Sequence, residues 1–271
     1  MTDRPTATAA PTEPPGHDLL AGKVAVVTAA AGTGIGSATA RRLLAEGATV
    51  VVSDAHERRL RETADALAGT PRADGSGSER PLAVPCDVTD EAQVQALFDA
   101  VVEAHGRIDV AVNNAGLGGT AELVDMTDDQ WAAVVDVTLT GTMRCTRAAL
   151  RRMIPRGGGV IVNNASVLGW RAQAGQAHYA AAKAGVMALT RTAAMEGAPH
   201  GVRVNAVSPS LAMHPFLSKV MDQRLLDEMA GREAFGRAAE PWEVATVIAF
   251  LASDYSSYMT GEVVSVSSQH P

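Results

Sequence analysis

Short runs of valine and alanine alternate along the chain with longer stretches in which apolar positions recur every three or four residues. The first run, Val24-Ala25-Val26-Val27-Thr28, predicts a strand between Gly22-Lys23 and a glycine-rich turn. A helical period follows over Ile35–Glu46 and stops at Gly47. Val50-Val51-Val52-Ser53 gives a second strand ending at Asp54, and Glu57–Leu67 a second helix. Further strands are predicted at Leu82–Val84, Ile108–Val112, Gly159–Asn163, Val202–Val207 and Val263–Val266. Such alternation predicts an α/β fold: one domain built on a doubly wound parallel sheet flanked by helices.

Two stretches fall outside this pattern. Gly69 through Arg80 reads as a polar, glycine-rich loop, expected to be mobile and without a catalytic role. Residues 1–17 contain several prolines and no apolar period, and are expected to form a disordered leader. Residues 18–271 then make the domain, with a helical substrate lid at about 211–237.

Composition narrows the classes. The chain has 271 residues, 46% of them hydrophobic, and a mean hydropathy of +0.04, enough for one large core. A net charge of -7 and arginines scattered without a basic stripe argue against a nucleic-acid partner. No apolar run reaches the roughly 18 residues of a membrane span. The N-terminus lacks the apolar stretch of a signal peptide, so a cytoplasmic location is expected. Cys86 and Cys145 lack metal-site or CxxC spacing and are expected in or beside the core, with no metal bound.

Candidate chemistry begins between the first strand and first helix. Thr28-Ala29-Ala30-Ala31-Gly32-Thr33-Gly34-Ile35-Gly36 stands where a phosphate-binding turn belongs. Small residues let backbone approach a pyrophosphate, and the helix N-terminus offers free N–H groups. Asp54 follows Gly36 by 18 residues, at the end of the next strand. A carboxylate there bonds both adenosine ribose hydroxyls and repels a 2′-phosphate, favouring NAD(H) over NADP(H). Arg58 and Arg59 are close in sequence but are expected to face solvent.

Ser166, Tyr179 and Lys183 form the second constellation. Tyr179 and Lys183 are four apart, hence on one helix face. An ammonium there can lower a phenol pKa from about 10 towards neutrality, roughly three units or about 4 kcal/mol. Such a phenol exchanges a proton with an alcohol or ketone oxygen, which Ser166 can also hydrogen-bond. Ser208, Asn163 and Asn164 nearby read as structural.

Together with Cys86-Asp87-Val88 and Asn113-Asn114-Ala115-Gly116, these motifs resemble the short-chain dehydrogenase/reductases, from about Leu20 to the C-terminus. The resemblance implies a Rossmann fold and hydride transfer between a secondary alcohol or ketone and a nicotinamide. Tyr179 is then the acid/base, Lys183 lowers its pKa and holds the nicotinamide ribose, and Ser166 orients the substrate oxygen. The implied cofactor set is Thr28, Ala30, Gly32, Thr33, Gly34, Ile35, Gly36, Asp54, Asp87, Val88, Asn114, Ala115 and Gly116, with Tyr179 and Lys183. Asp87 would bond the adenine amino group and Val88 pack on the ring. Family analogy also implies a homodimer or homotetramer.

The chain departs from the family in places. Thr138 occupies the slot of an Asn that supports a helix kink and holds a water joining the active-site Lys to solvent, so an altered proton relay is expected. Ala29 or Ala30 replaces a loop glycine, Ser210 another, and the C-terminus lacks the family's Val-Asp-Gly-Gly. Substrate contacts are expected from Trp170, Gln173, His214 and Phe216, beside an apolar pocket under the lid. Lys219, Arg224 and Arg232 are candidates for the phosphates of a coenzyme A carrier.

Strings such as NNASVLGWRAQ and EAFGRAAEPWEVA resemble actinobacterial family members of steroid ring C/D degradation. Those oxidise a ring hydroxyl of a methyl-indanone-carboxyl-CoA. The expected function is therefore NAD-dependent hydride transfer at a ring hydroxyl of a steroid-derived CoA thioester. An NADPH-dependent 3-oxoacyl-thioester reductase and a non-catalytic nucleotide-binding scaffold are the alternatives.

Overall fold

The structure, a computed structural model, describes residues 7–213 and 223–268. Its seven strands are β1 (Val24–Val27), β2 (Thr49–Asp54), β3 (Leu82–Pro85), β4 (Val110–Asn113), β5 (Gly159–Asn164), β6 (Val202–Pro209) and β7 (Val263–Val266). They form one sheet in the order β3-β2-β1-β4-β5-β6-β7, every pair parallel. The α-helices are α1 (Ile35–Ala45), α2 (Glu57–Leu67), α3 (Glu91–His105), α4 (Asp128–Val135), α5 (Gly141–Met153), α6 (Ala177–Gly197), α7 (Gln223–Arg232) and α8 (Pro241–Ala252).

Both sheet faces are covered, which is why the strands read as unbroken apolar runs. Along β1, Ala25 and Val27 enter the core shared with α1, α2 and α8, while Val24 and Val26 enter the one against α3 and α5. The strand order reverses between β1 and β4, opening a crevice at their carboxyl ends where ligands of this architecture bind. Cys86 and Cys145 are buried free thiols, both pushed up by burial, Cys86 to about 12.

Two segments outside the strand–helix pattern carry hydrogen bonds of their own. The 69–80 segment is a closed hairpin: the Gly69 amide donates to Ser78 O at 2.9 Å and the Ser78 amide to Thr70 O at 2.9 Å. Buried Thr70 and Ser78 anchor its base, a pairing that the polar composition hid. Among the described residues of the leader, several contacts reach the domain. Thr8 N donates to Phe235 O at 2.9 Å, and the Arg42 guanidinium donates to Pro14 O at 2.6 Å and Pro15 O at 3.3 Å. Glu46 accepts from the His17 and Leu19 amides at 2.8 and 3.1 Å and pairs with Arg42, burying both side chains.

Candidate active site

At the carboxyl end of β1 the chain turns through Ala29, whose φ of 48° is the left-handed conformation of the replaced glycine. Thr28 Oγ1 accepts from the Asn114 amide at 3.0 Å, tying the turn to the end of β4. Gly36 is required by close approach, since a Cβ there would lie 2.2 Å from Ala29 O and 2.6 Å from Asn114 Nδ2. Gly34 caps α1 without a side-chain bond, and the first turn of α1 carries no acidic residue. Its N–H groups and dipole are therefore available to an anion. Asp54, at the tip of β2, accepts from the Ala31 amide at 3.1 Å and the His56 amide at 2.9 Å. These features fit a dinucleotide: a cradle that a methyl group would fill, an open helix N-terminus and a carboxylate one strand away.

Three neighbouring placements refine the sequence reading. Arg58 faces solvent, paired with Glu62 at 3.0 Å. Arg59 is half-buried and, with exposed Arg41, borders a cavity of about 250 Å³ that also reaches Gly32 and Ser37. Thr63, which drew no notice in the sequence, accepts from the Gly32 amide at 2.9 Å. Val88 is buried towards α5, where a Cβ on Gly141 would meet its Cγ2 at 2.6 Å, so it has only an edge to offer an adenine ring. Asp87 binds Thr89, through its amide at 2.9 Å and its hydroxyl at 2.8 Å.

The second constellation is drawn from β5 and α6. Ser166 follows β5 and opens a tight turn over Val167–Gly169, which presses on α6 because Gly169 has no Cβ to strike Met187 and the Ala184 amide. Tyr179 and Lys183 lie one turn apart near the start of α6, with Lys183 Nζ 5.6 Å from the Tyr179 ring centroid. Tyr179 shares a hydrogen bond with Ser166. The electrostatics differ from expectation. Burial pushes the phenol above its ordinary value, with the Ser166 bond opposing, and burial pulls Lys183 down to about 8. The ammonium lies over the ring and donates to Asn164 O at 2.6 Å.

Thr138 lies in a π-helical turn, Asp136–Thr140, between α4 and α5. Its hydroxyl accepts from the Leu117 amide at 3.0 Å and donates to Leu117 O at 3.2 Å, while its own carbonyl accepts from Thr142 at 2.8 Å. Thr138 thus holds the chain after Gly116, and its hydroxyl hydrogen is already spent there.

Asn163 and Asn164, read as structural, divide in role. Asn163 Oδ1 accepts from Asn113 Nδ2 at 2.8 Å across β4 and β5, inside the fold. Asn164 reaches the crevice: its Nδ2 donates to Asn114 Oδ1 at 2.8 Å, and Asn114 Nδ2 donates to Ala29 O at 3.0 Å. The two Asn-Asn pairs at the ends of neighbouring strands were the signal available in the sequence. Trp170 and Gln173 are exposed on the approach to Tyr179. His214, Phe216 and Lys219 lie outside the described residues, and Arg232 pairs with Glu228 at 2.6 Å. Among the described residues no helix is long and apolar enough to cross a membrane, and no cluster of three or more His, Cys, Asp or Glu could hold a metal ion.

A parallel sheet reversing at β1/β4, with an anion-ready turn and a Ser-Tyr-Lys cluster on one rim, defines a nucleotide-dependent oxidoreductase of the Rossmann type. The sequence pattern of the family described as enoyl-(acyl carrier protein) reductase matches residues 29–268. A Mycobacterium tuberculosis protein named (5R,7aS)-5-hydroxy-7a-methyl-1-oxo-2,3,5,6,7,7a-hexahydro-1H-indene-carboxyl-CoA reductase is 67% identical over 97% of this chain and 98% of its own. Cis-4-hydroxycyclohexanecarboxylate dehydrogenase of Sinomonas cyclohexanicum is 45% identical over 92% and 96%. The crystal structure of a short chain dehydrogenase from Mycobacterium smegmatis superposes with a TM-score of 0.84 at 63% identity, covering 97% of this chain and 99% of that one. The chain belongs to the short-chain dehydrogenase/reductase family and is an oxidoreductase.

Proposed function

We propose that the protein interconverts a ring ketone and a ring secondary alcohol on a steroid-derived indene-carboxyl-CoA thioester, using NAD(H). The chemistry rests on the convergence of Ser166, Tyr179 and Lys183 beside the crevice. The substrate class rests on 67% identity, over nearly all of both chains, to the mycobacterial indene-carboxyl-CoA reductase.

The turn 28–36 and the α1 N-terminus would hold the pyrophosphate, and Asp54 the adenosine ribose. Bound there, the nicotinamide supplies or accepts the hydride. Ser166 donates to the substrate oxygen and orients it. Tyr179 gives its phenolic proton to that oxygen in reduction and receives it in oxidation. A phenol kept protonated by burial is ready to act as the acid, and a charged Lys183 stabilises the phenolate left behind. Exposed Trp170 and Gln173 would line the substrate's approach.

One observation favours a second cofactor reading. Arg41 and Arg59 border the cavity beside Gly32, where they could receive a 2′-phosphate of NADP(H). A panel of the indene-carboxyl-CoA ketone and alcohol and straight-chain 3-oxoacyl-CoAs, each with both cofactors, tests the proposal. Turnover of the indene thioester with NAD(H), lowered about a thousandfold by Tyr179→Phe, is expected. Activity confined to straight-chain thioesters would overturn it.

A further inference from the structure

Asn164 stands at the end of β5, 8% exposed. Its carbonyl accepts from Lys183 Nζ at 2.6 Å, and its Nδ2 donates to Asn114 Oδ1 at 2.8 Å. Asn114 in turn donates to Ala29 O at 3.0 Å, in the phosphate turn. A hydrogen-bonded rail therefore joins the Lys183 ammonium to the nucleotide end. Asn164 Oδ1, by contrast, is buried without a protein partner. A buried amide oxygen left so costs about 1–3 kcal/mol unless a donor meets it.

Lys183 has the complementary excess. An ammonium carries three donors, and Asn164 O is the acceptor recorded for Nζ. Two uncharged groups lie against it: Gly116 after β4 and the Asn164 carbonyl at the end of β5. Tyr179, on the same helix, is the titratable group that faces it. Thr138 cannot supply the missing partner as a donor, because its hydroxyl hydrogen is given to Leu117 O at 3.2 Å.

We propose that Asn164 is a positioning residue for Lys183: its carbonyl fixes the ammonium, and its free Oδ1 holds a water against Nζ. This rests on the acid/base assignment of Tyr179 and Lys183. The amide oxygen only accepts a hydrogen bond and orients the water.

The chain has three lysines, Lys23, Lys183 and Lys219, so the full-length protein labelled with ¹³C at lysine Cε gives three assignable resonances. The titration is run without cofactor or substrate, so a wrong substrate or cofactor assignment leaves it intact. Burial places the Lys183 midpoint near 8. Asn164→Leu removes the water's acceptor and is expected to lower that midpoint by about one unit. Asn164→Asp puts a carboxylate of nearly the same shape there and is expected to raise it by about one unit. The kcat–pH profiles should move the same way. Opposite shifts from two near-isosteric changes are not produced by loosened packing. If Asn164→Leu fails to fold, Asn164→Asp alone decides. A Lys183 midpoint unchanged in the folded variants, or moved the same way by both, overturns the proposal.

Discussion

The Ala31 amide donates to the Asp54 carboxylate at 3.1 Å, so the residue proposed to select the ribose also ties the 28–36 turn to β2. A second bond, from the His56 amide at 2.9 Å, fixes the other carboxylate oxygen. A carboxylate held from both sides cannot swing away from a 2′-phosphate. Asp54→Ala is therefore expected to shift the kcat/KM ratio towards NADP(H) by about 10- to 100-fold, a phosphate-to-carboxylate repulsion of roughly 1.4–2.8 kcal/mol. An unchanged ratio would assign the selection elsewhere, with Arg41 and Arg59 the nearest alternative.

Lys183 makes stability depend on pH in a direction that can be stated. Its folded value, about 8, lies below its unfolded one near 10.4. Below pH 8 both states are charged and the folded state carries the whole burial cost. Between about pH 8 and 10.4 the unfolded chain binds the extra proton, so stability rises with pH. Lys183→Met should thus stabilise the protein at pH 7 by up to about 3 kcal/mol, with the gain fading as pH approaches 10.4. Denaturant unfolding of both proteins across that range checks it. A constant difference would mean that the ammonium is better solvated than its 2% exposure implies.

Much of this was legible in the sequence, for physical reasons that differ by element. Strands buried on both faces announce themselves, and β7 falls on the predicted residues Val263–Val266. The Tyr179–Lys183 pairing follows from helical period alone. What stayed hidden depends on tertiary context. The direction of the Tyr179 shift is set by burial, which no spacing encodes. Arg59 and Arg58 are adjacent and alike, yet Arg59 borders the cavity beside Gly32 while Arg58 pairs with Glu62. Asn164 looked structural because its partner Asn114 is 50 residues away. The leader's proline content suggested disorder, while the groups that hold it, Arg42 and Glu46, looked like an ordinary helical pair.

Thr138 offers a near-isosteric test. Its fully buried hydroxyl satisfies both the amide and the carbonyl of Leu117, at 3.0 and 3.2 Å. Thr138→Val keeps the shape and removes both bonds. The expected loss is about 2–4 kcal/mol, less if water reaches Leu117, which is 41% exposed. A melting temperature unchanged from wild type would show that water replaces the hydroxyl at no cost.

Glu46 tests whether the leader is a built part of the fold. The leader covers a charge pair whose side chains are 4% and 0% exposed. In the full chain, Glu46→Ala leaves Arg42 buried with only the Pro14 and Pro15 carbonyls as partners, at 2.6 and 3.3 Å. Breaking such a pair costs about 3–5 kcal/mol. Removal of residues 1–16 uncovers the guanidinium, which then recovers its hydration. The same Glu46→Ala change in the truncated chain should cost much less, about 1 kcal/mol. Four urea melts make the double-mutant cycle, and a coupling of about 2 kcal/mol or more is expected. Additive effects would mean that the leader does not cover Arg42 in solution, and the charge pair would then owe its burial to α1 and its neighbours alone.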